Sequence, residues 1–221
     1  MGKSSLNNRE KNKKLVVFTT TYKSKMGGIK DLLVGLGKKE AIEIDKEYQT
    51  RKIFGPWGLD ELAKLYQGFT EEKLKGLSFD YHLEYLLPGI SEFVFALKER
   101  GFLIGVLNSN PQFMMDNLKE RLPLDFAIGT KLEFKDEMAT GRIQEEVNRY
   151  TEVEILQQKR KEYDIDKKNV ITLGRSSLTH LPIAKESAIY IGFDPTKKET
   201  IRDIARVIVT NKNLQDVFFG K

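Results

Sequence analysis

Apolar positions along this chain follow two rhythms. Unbroken apolar runs of strand length occur at Leu15–Phe18, Phe102–Leu107, Val170–Leu173, Ile189–Phe193 and Val207–Val209. Such runs predict strands buried on both faces, the habit of a parallel sheet. Between them, apolar residues recur at helical spacing. Ile90, Phe93, Val94 and Leu97 form one stripe that stops at Gly101, and Val153 and Leu156 lead through Arg160 to Tyr163 in another. Strands alternating with helices predict an α/β protein with a mainly parallel, Rossmann-like sheet. The stretch LEFKDEMATGRIQ, residues 132–144, breaks the rhythm with two short alternating segments around a polar turn, and predicts a β-hairpin.

Residues 28–85 behave differently. Leu32, Leu33 and Leu36, then Leu59, Leu62, Leu65 and Tyr66, then Leu74 and Leu77 keep helical spacing, and no strand pattern intervenes. The punctuation FGPWG divides the segment, and its Phe54 and Trp57 are expected to pack the helices together. A helical insertion, or cap, is expected over 24–85, within a core domain built from 14–23 and 86–221, after a basic tail at 1–13.

The 221 residues are enough to bury a full core. Lys and Arg number 37 against 32 Asp and Glu, a net charge of +5, and Lys3, Arg9, Lys11, Lys13 and Lys14 contribute most of the excess. The tail reads as a solvated end, or as a weak contact with nucleic acid or an acidic partner. The chain has no cysteine, which excludes disulfides, thiolate metal sites and cysteine nucleophiles. No run approaches a membrane span, and the polar start lacks the apolar stretch of a signal peptide. MGKSSL has Leu6 where a myristoylation signal wants Ser or Thr. These features predict a cytoplasmic protein without membrane association.

The candidate chemistry is sparse. The first strand ends in Thr19, Thr20 and Thr21, where open α/β sheets place their sites. The chain has two histidines, too few for a His-rich transition-metal centre. His82, within FDYHLEY, reads as a core or partly exposed residue, and His180 as a loop residue satisfied by its neighbours. Ser176 and Ser177 precede His180 without the G-x-S-x-G elbow of a serine hydrolase. In NSNP, Asn108, Ser109 and Asn110 precede Pro111 at an expected helix start. Its backbone N–H groups could hold an anion, and the alternative is ordinary capping by Asn110.

Several segments in order resemble the haloacid dehalogenase (HAD) superfamily, specifically its phosphoserine-phosphatase-like branch. They are YLLPGISEFVFALKERGFLIGVL, NSNPQF, AIGTKLEFKDEMATGRI and VITLG…LPIAKESAIYIGFDP. The resemblance implies a Rossmann-like core with a helical cap, and hydrolysis of phosphomonoesters through an aspartyl-phosphate with Mg²⁺ held by carboxylates. It also implies that the family's two first-motif Asp residues fall on Thr19 and Thr21, its phosphate-binding Ser or Thr on Asn108, its Lys on Glu152 and its Gly-Asp on Gly174-Arg175. The second carboxylate of that last motif falls on Thr179 or His180. In the cap, the branch's substrate-binding carboxylate falls near Gly28 and its arginine near Leu62.

On this reading the family mechanism is lost, and no Mg²⁺ or other cofactor is expected. An alcohol at Thr19 forms no acyl-phosphate, and Thr21 cannot relay a proton near neutrality. The expected protein is a pseudophosphatase with a binding, regulatory or scaffold role toward a protein or a small anionic ligand. The alternatives are a hydrolase with altered, metal-independent chemistry and a nucleic-acid-associated protein using the tail. The exchanged signs at Glu152 and Arg175 suggest an ion pair closing the old site, against the alternative of two unrelated surface charges.

Overall fold

A computed structural model describes residues 13–23, 26–49, 58–175, 179–193 and 205–209. The expectations for the tail before residue 13, for Phe54 and Trp57, and for Ser176 and Ser177 lie outside these residues.

Among the described residues, seven strands form one sheet in the order β4-β3-β2-β1-β5-β6-β7. They are β1 (Leu15–Phe18), β2 (Leu103–Pro111), β3 (Phe126–Lys135), β4 (Met138–Glu145), β5 (Val170–Gly174), β6 (Ile189–Phe193) and β7 (Val207–Val209). All neighbours pair in parallel except β3 and β4. The helices are α1 (Gly28–Gly35), α2 (Glu40–Gln49), α3 (Leu59–Leu65), α4 (Glu71–Tyr85), α5 (Ile90–Glu99), α6 (Gln112–Arg121), α7 (Thr151–Glu162) and α8 (Leu181–Lys185).

β1 shows why the sheet is covered on both sides. Its four residues are all buried. Val16 and Phe18 join the cluster that contains Phe93, Val94 and Leu97 of α5. Leu15 and Val17 join a second cluster with Leu156 of α7 and Ile183 of α8. The two-residue period of a strand sends alternate side chains to opposite faces, so an unbroken apolar run is what this position requires.

The β3–β4 hairpin turns through Asp136 and Glu137, both with positive φ (48° and 63°). That is the backbone of a two-residue turn whose twist matches the strands. The free side of β4 is covered rather than open. Gly68 donates to the Ala139 carbonyl, Ala139 to Phe69 and Glu71 to Glu137, each at 2.9 Å. The linker between α3 and α4 thereby occupies an edge that would otherwise offer unpaired backbone groups.

Helices α1 to α4 lie within the segment 24–85. Ile29, Leu32 and Leu33 of α1, Leu59 and Leu62 of α3 and Leu74 of α4 belong to the same apolar cluster as Val16 and Phe18. The helical segment and the sheet therefore share one core.

β2 runs on to Pro111, well past the apolar run, and Pro111 pairs with Thr130 across a register shift. This corrects the reading of Asn110 as a helix cap. Pro111 holds the cap position of α6, and the Asn110 side chain instead accepts from the Ile29 N–H at 3.3 Å. Among the described residues, no helix is long and apolar enough to cross a membrane.

Candidate functional site

Strand order reverses at β1, because successive strands proceed to one side through β2 and β3 and to the other through β5 and β6. A doubly wound sheet opens a crevice beyond the carboxyl ends of its strands at such a point. Here that crevice is a cleft of about 200 Å³, lined by Thr19, Thr20 and Thr21 after β1, by Asn108, Ser109 and Asn110 of β2, and by Glu152, Thr179 and His180. Gly28, Ile29, Lys30, Leu59 and Leu62 close it from the helical side. Most of the positions singled out in the sequence therefore meet in one place. Gly174, Arg175 and His82 are not among the lining residues.

Thr19 continues the β1 pairing. Its N–H donates to the Leu173 carbonyl at 2.9 Å and its hydroxyl donates to the same oxygen at 3.0 Å. Gly174 permits this closeness, since a Cβ there would overlap both Thr19 Oγ1 and the Tyr190 hydroxyl. Thr21 is fully buried, and its carbonyl accepts from the Leu87 N–H at 2.9 Å.

Across the cleft, the Asn108 side-chain oxygen accepts from the Asn110 N–H at 3.0 Å. That bond fixes the amide orientation and leaves Nδ2 buried without a hydrogen-bond partner. Glu152 stands in the first turn of α7, where the Asn148 side-chain oxygen accepts from the N–H groups of Tyr150 and Thr151 and sets the helix start. Glu152 is 1% exposed, and neither carboxylate oxygen has a hydrogen-bond partner. The group facing it is His180, with Nδ1 3.6 Å from Oε2.

The expected Glu152–Arg175 ion pair is not formed. The Arg175 guanidinium is aimed at the Tyr22 carbonyl, 3.5 Å from NH1, and His180 takes the place facing the acid. The reason is local. β5 ends at Gly174, so Arg175 leaves the sheet beside the segment after β1, whereas His180 caps α8, whose Ile183 packs with Leu156 of α7. His180 is therefore a cleft residue rather than a locally satisfied loop residue. His82 is a core residue, 1% exposed, with Nε2 2.6 Å from the Tyr22 hydroxyl.

Pattern reading missed Lys30 and Tyr190. Lys30 lines the cleft, is buried and pairs with Asp45 of α2. A lysine in a helix's first turn looks like any solvated charge, and only the packing of α1 on α2 brings Asp45 to it. Tyr190 lies inside the β6 run, where it reads as ordinary core. Burial, with Glu152 nearby, pushes its phenol well above the usual range.

No family model matches the chain. A phosphoserine phosphatase of Archaeoglobus fulgidus is 29% identical over 157 residues, covering 71% of this chain and 44% of that protein. This chain thus spans less than half the length of that relative. A phosphoserine phosphatase of Methanocaldococcus jannaschii is 24% identical over 215 residues, covering 94% of this chain and 97% of the relative. The solved structure of a phospho-aspartyl intermediate analogue of phosphoserine phosphatase superposes with a TM-score of 0.77 at 22% identity, over 94% of this chain and 98% of that one. The chain has the HAD Rossmann-like fold and is similar in sequence to phosphoserine phosphatases.

The HAD fold implies a Mg²⁺ ion at the end of β1, and the donors present do not suit one. Hard divalent cations want several oxygen ligands, usually carboxylates. Among the described residues, the cleft is lined by one carboxylate, Glu152, with an imidazole already facing it, while the Thr19 hydroxyl is directed at a carbonyl. Among the described residues, no three His, Asp or Glu side chains converge. Gly28 and Leu62, where the branch's substrate-binding charges were expected, both line the cleft of this HAD fold and bring no charge to it.

Proposed function

We propose that this HAD-fold chain is a pseudophosphatase, a cytoplasmic protein that binds a small ligand or a partner at its β1 cleft without hydrolysing phosphomonoesters through an aspartyl-phosphate. The observation that carries this reading is the Thr19 hydroxyl. At the strand position where the branch's nucleophile is expected, the side chain is an alcohol whose proton goes to the Leu173 carbonyl. Neither Thr19 nor Thr21 supplies the carboxylate that attacks phosphorus or the one that moves the proton. The poor fit of the cleft to Mg²⁺ supports the same reading.

The test is a panel of phosphomonoesters assayed with millimolar Mg²⁺, using Thr19→Asn as the control. The expected outcome is the same background release from both proteins. Mg²⁺-dependent turnover that disappears in Thr19→Asn would overturn the proposal.

One observation favours a second reading. A buried carboxylate facing an imidazole, in a cleft that also holds three threonines, is the arrangement of a general base with its orienting acid. A metal-independent hydrolase would show turnover in the presence of EDTA that His180→Asn abolishes.

A further inference from the structure

The charges of the cleft are poorly suited to a phosphate ester. Of the side chains that line it, Lys30 is paired with Asp45 and Glu152 is an acid at 1% exposure. Arg175 is not among the lining residues. A phosphate dianion entering here would meet a buried carboxylate and, among the described residues that line the cleft, no lysine or arginine other than the paired Lys30. Like charges brought together out of water repel strongly.

The unsatisfied groups describe what would fit instead. Both Glu152 oxygens lack hydrogen-bond donors, and the Asn108 Nδ2 lacks an acceptor, with its orientation held by the Asn110 N–H. A buried carboxylate is tolerated when a cation and donors satisfy it, and a buried amide N–H when an acceptor does. The imidazole of His180 faces one of the acid's oxygens at 3.6 Å, beyond hydrogen-bond reach. Both the acid and the amide line the same cleft, and its volume of about 200 Å³ is below the roughly 300–1,000 Å³ of pockets for drug-sized ligands.

We infer that the cleft takes a small organic ammonium compound, its charged nitrogen donating to Glu152 and a nearby oxygen of the same molecule accepting from Asn108 Nδ2. This rests on reading the β1 cleft as a binding site, and it replaces the small anionic ligand expected from the sequence. An organic cation is preferred to a metal ion because a protonated amine supplies hydrogen-bond donors, whereas a divalent ion wants further carboxylates, which the described lining residues do not supply.

The experiment is calorimetric titration of the full chain with ethanolamine, inorganic phosphate and Mg²⁺ as separate probes. Ethanolamine is expected to bind at one site, and the other two are expected to give no saturable heat. Glu152→Gln should weaken ethanolamine at least tenfold and Glu152→Asp by less, with circular dichroism showing that each variant is folded. Asn108→Leu, which removes the second anchor and keeps the acid, should also weaken it. Saturable phosphate binding without ethanolamine binding would overturn the inference and leave the pseudophosphatase reading standing. So would ethanolamine binding that Glu152→Gln leaves unchanged, equal binding of Mg²⁺, or no binding of any probe. Mg²⁺-dependent phosphatase turnover would instead overturn the functional reading.

Discussion

The Tyr22 hydroxyl lies 2.6 Å from Nε2 of His82, joining the segment after β1 to the last turn of α4. Burial raises the Tyr22 pKa. Burial also lowers that of His82 from 6.5 to about 4, and the Arg121 guanidinium adds to the effect. The phenol therefore keeps its proton, the imidazole is neutral, and the two share one hydrogen bond.

Acid should weaken the fold through this pair. Unfolded His82 binds a proton near pH 6.5 and folded His82 only near pH 4, so the unfolded state holds more protons between them. The contribution is complete above pH 6.5, falls as pH drops through about 4, and amounts to about 3 kcal/mol. Urea denaturation from pH 7.5 to 4 should show the decline, and His82→Gln should flatten it. An unchanged pH profile in that variant would remove His82 as the cause.

Gly174→Ala should destabilise by about 1–3 kcal/mol, the usual cost of forcing extra atoms into a packed core. The added methyl would overlap Thr19 Oγ1 and the Tyr190 hydroxyl. Tyr190→Phe removes one of those atoms, so Gly174→Ala should cost less in that background. Chemical denaturation of the four proteins measures the difference, and strict additivity would contradict the crowding.

Glu152→Gln is expected to leave the fold intact and to stabilise it slightly, because it neutralises a buried acid that accepts no hydrogen bond. Its effect should depend on His180, so Glu152→Gln and His180→Asn should be non-additive by about 0.5 kcal/mol or more. Glu152→Gln and Arg175→Gln should add within about 0.5 kcal/mol. The reverse pattern of couplings would restore the acid–arginine pair.

The hairpin turn places an Asp and a Glu at positive φ, where glycine carries no steric penalty. Glu137→Gly should raise stability by about 0.4–1 kcal/mol, readable as an upward shift in Tm, because relief of that strain outweighs the added chain freedom. A lower Tm would mean that the Glu137 side chain contributes more than its backbone costs.

The sheet was legible wherever burial alone defines a strand. Leu15–Phe18, Ile189–Phe193 and Val207–Val209 coincide with β1, β6 and β7, and Val170–Leu173 lies within β5. β2 was read too short because Asn108, Ser109 and Asn110 carry no apolar signal, while the pairing of Pro111 with Thr130 is a tertiary fact. The first half of β3 was visible only as part of the hairpin's family resemblance. At the site, sequence located Thr19, Thr21, Asn108 and Glu152 but misassigned the partner of Glu152. Which of Arg175 and His180 faces the acid depends on the path between β5 and α8, and no periodicity encodes that path. Lys30 escaped notice for a similar reason, since its partner Asp45 sits on another helix.

The backbone bonds from Gly68, Ala139 and Glu71 make the β4 edge a fastening as well as a cover. They tie the helical segment to the sheet apart from its chain connections, and the shared apolar core adds to the hold. Swinging α3 and α4 away as a lid would break three interstrand-like bonds and expose Leu62 and Leu74 together. Ligand exchange at the cleft should then proceed through small local movements around Gly27 and Gly28, with the hairpin setting a lower bound on how closed the resting molecule stays.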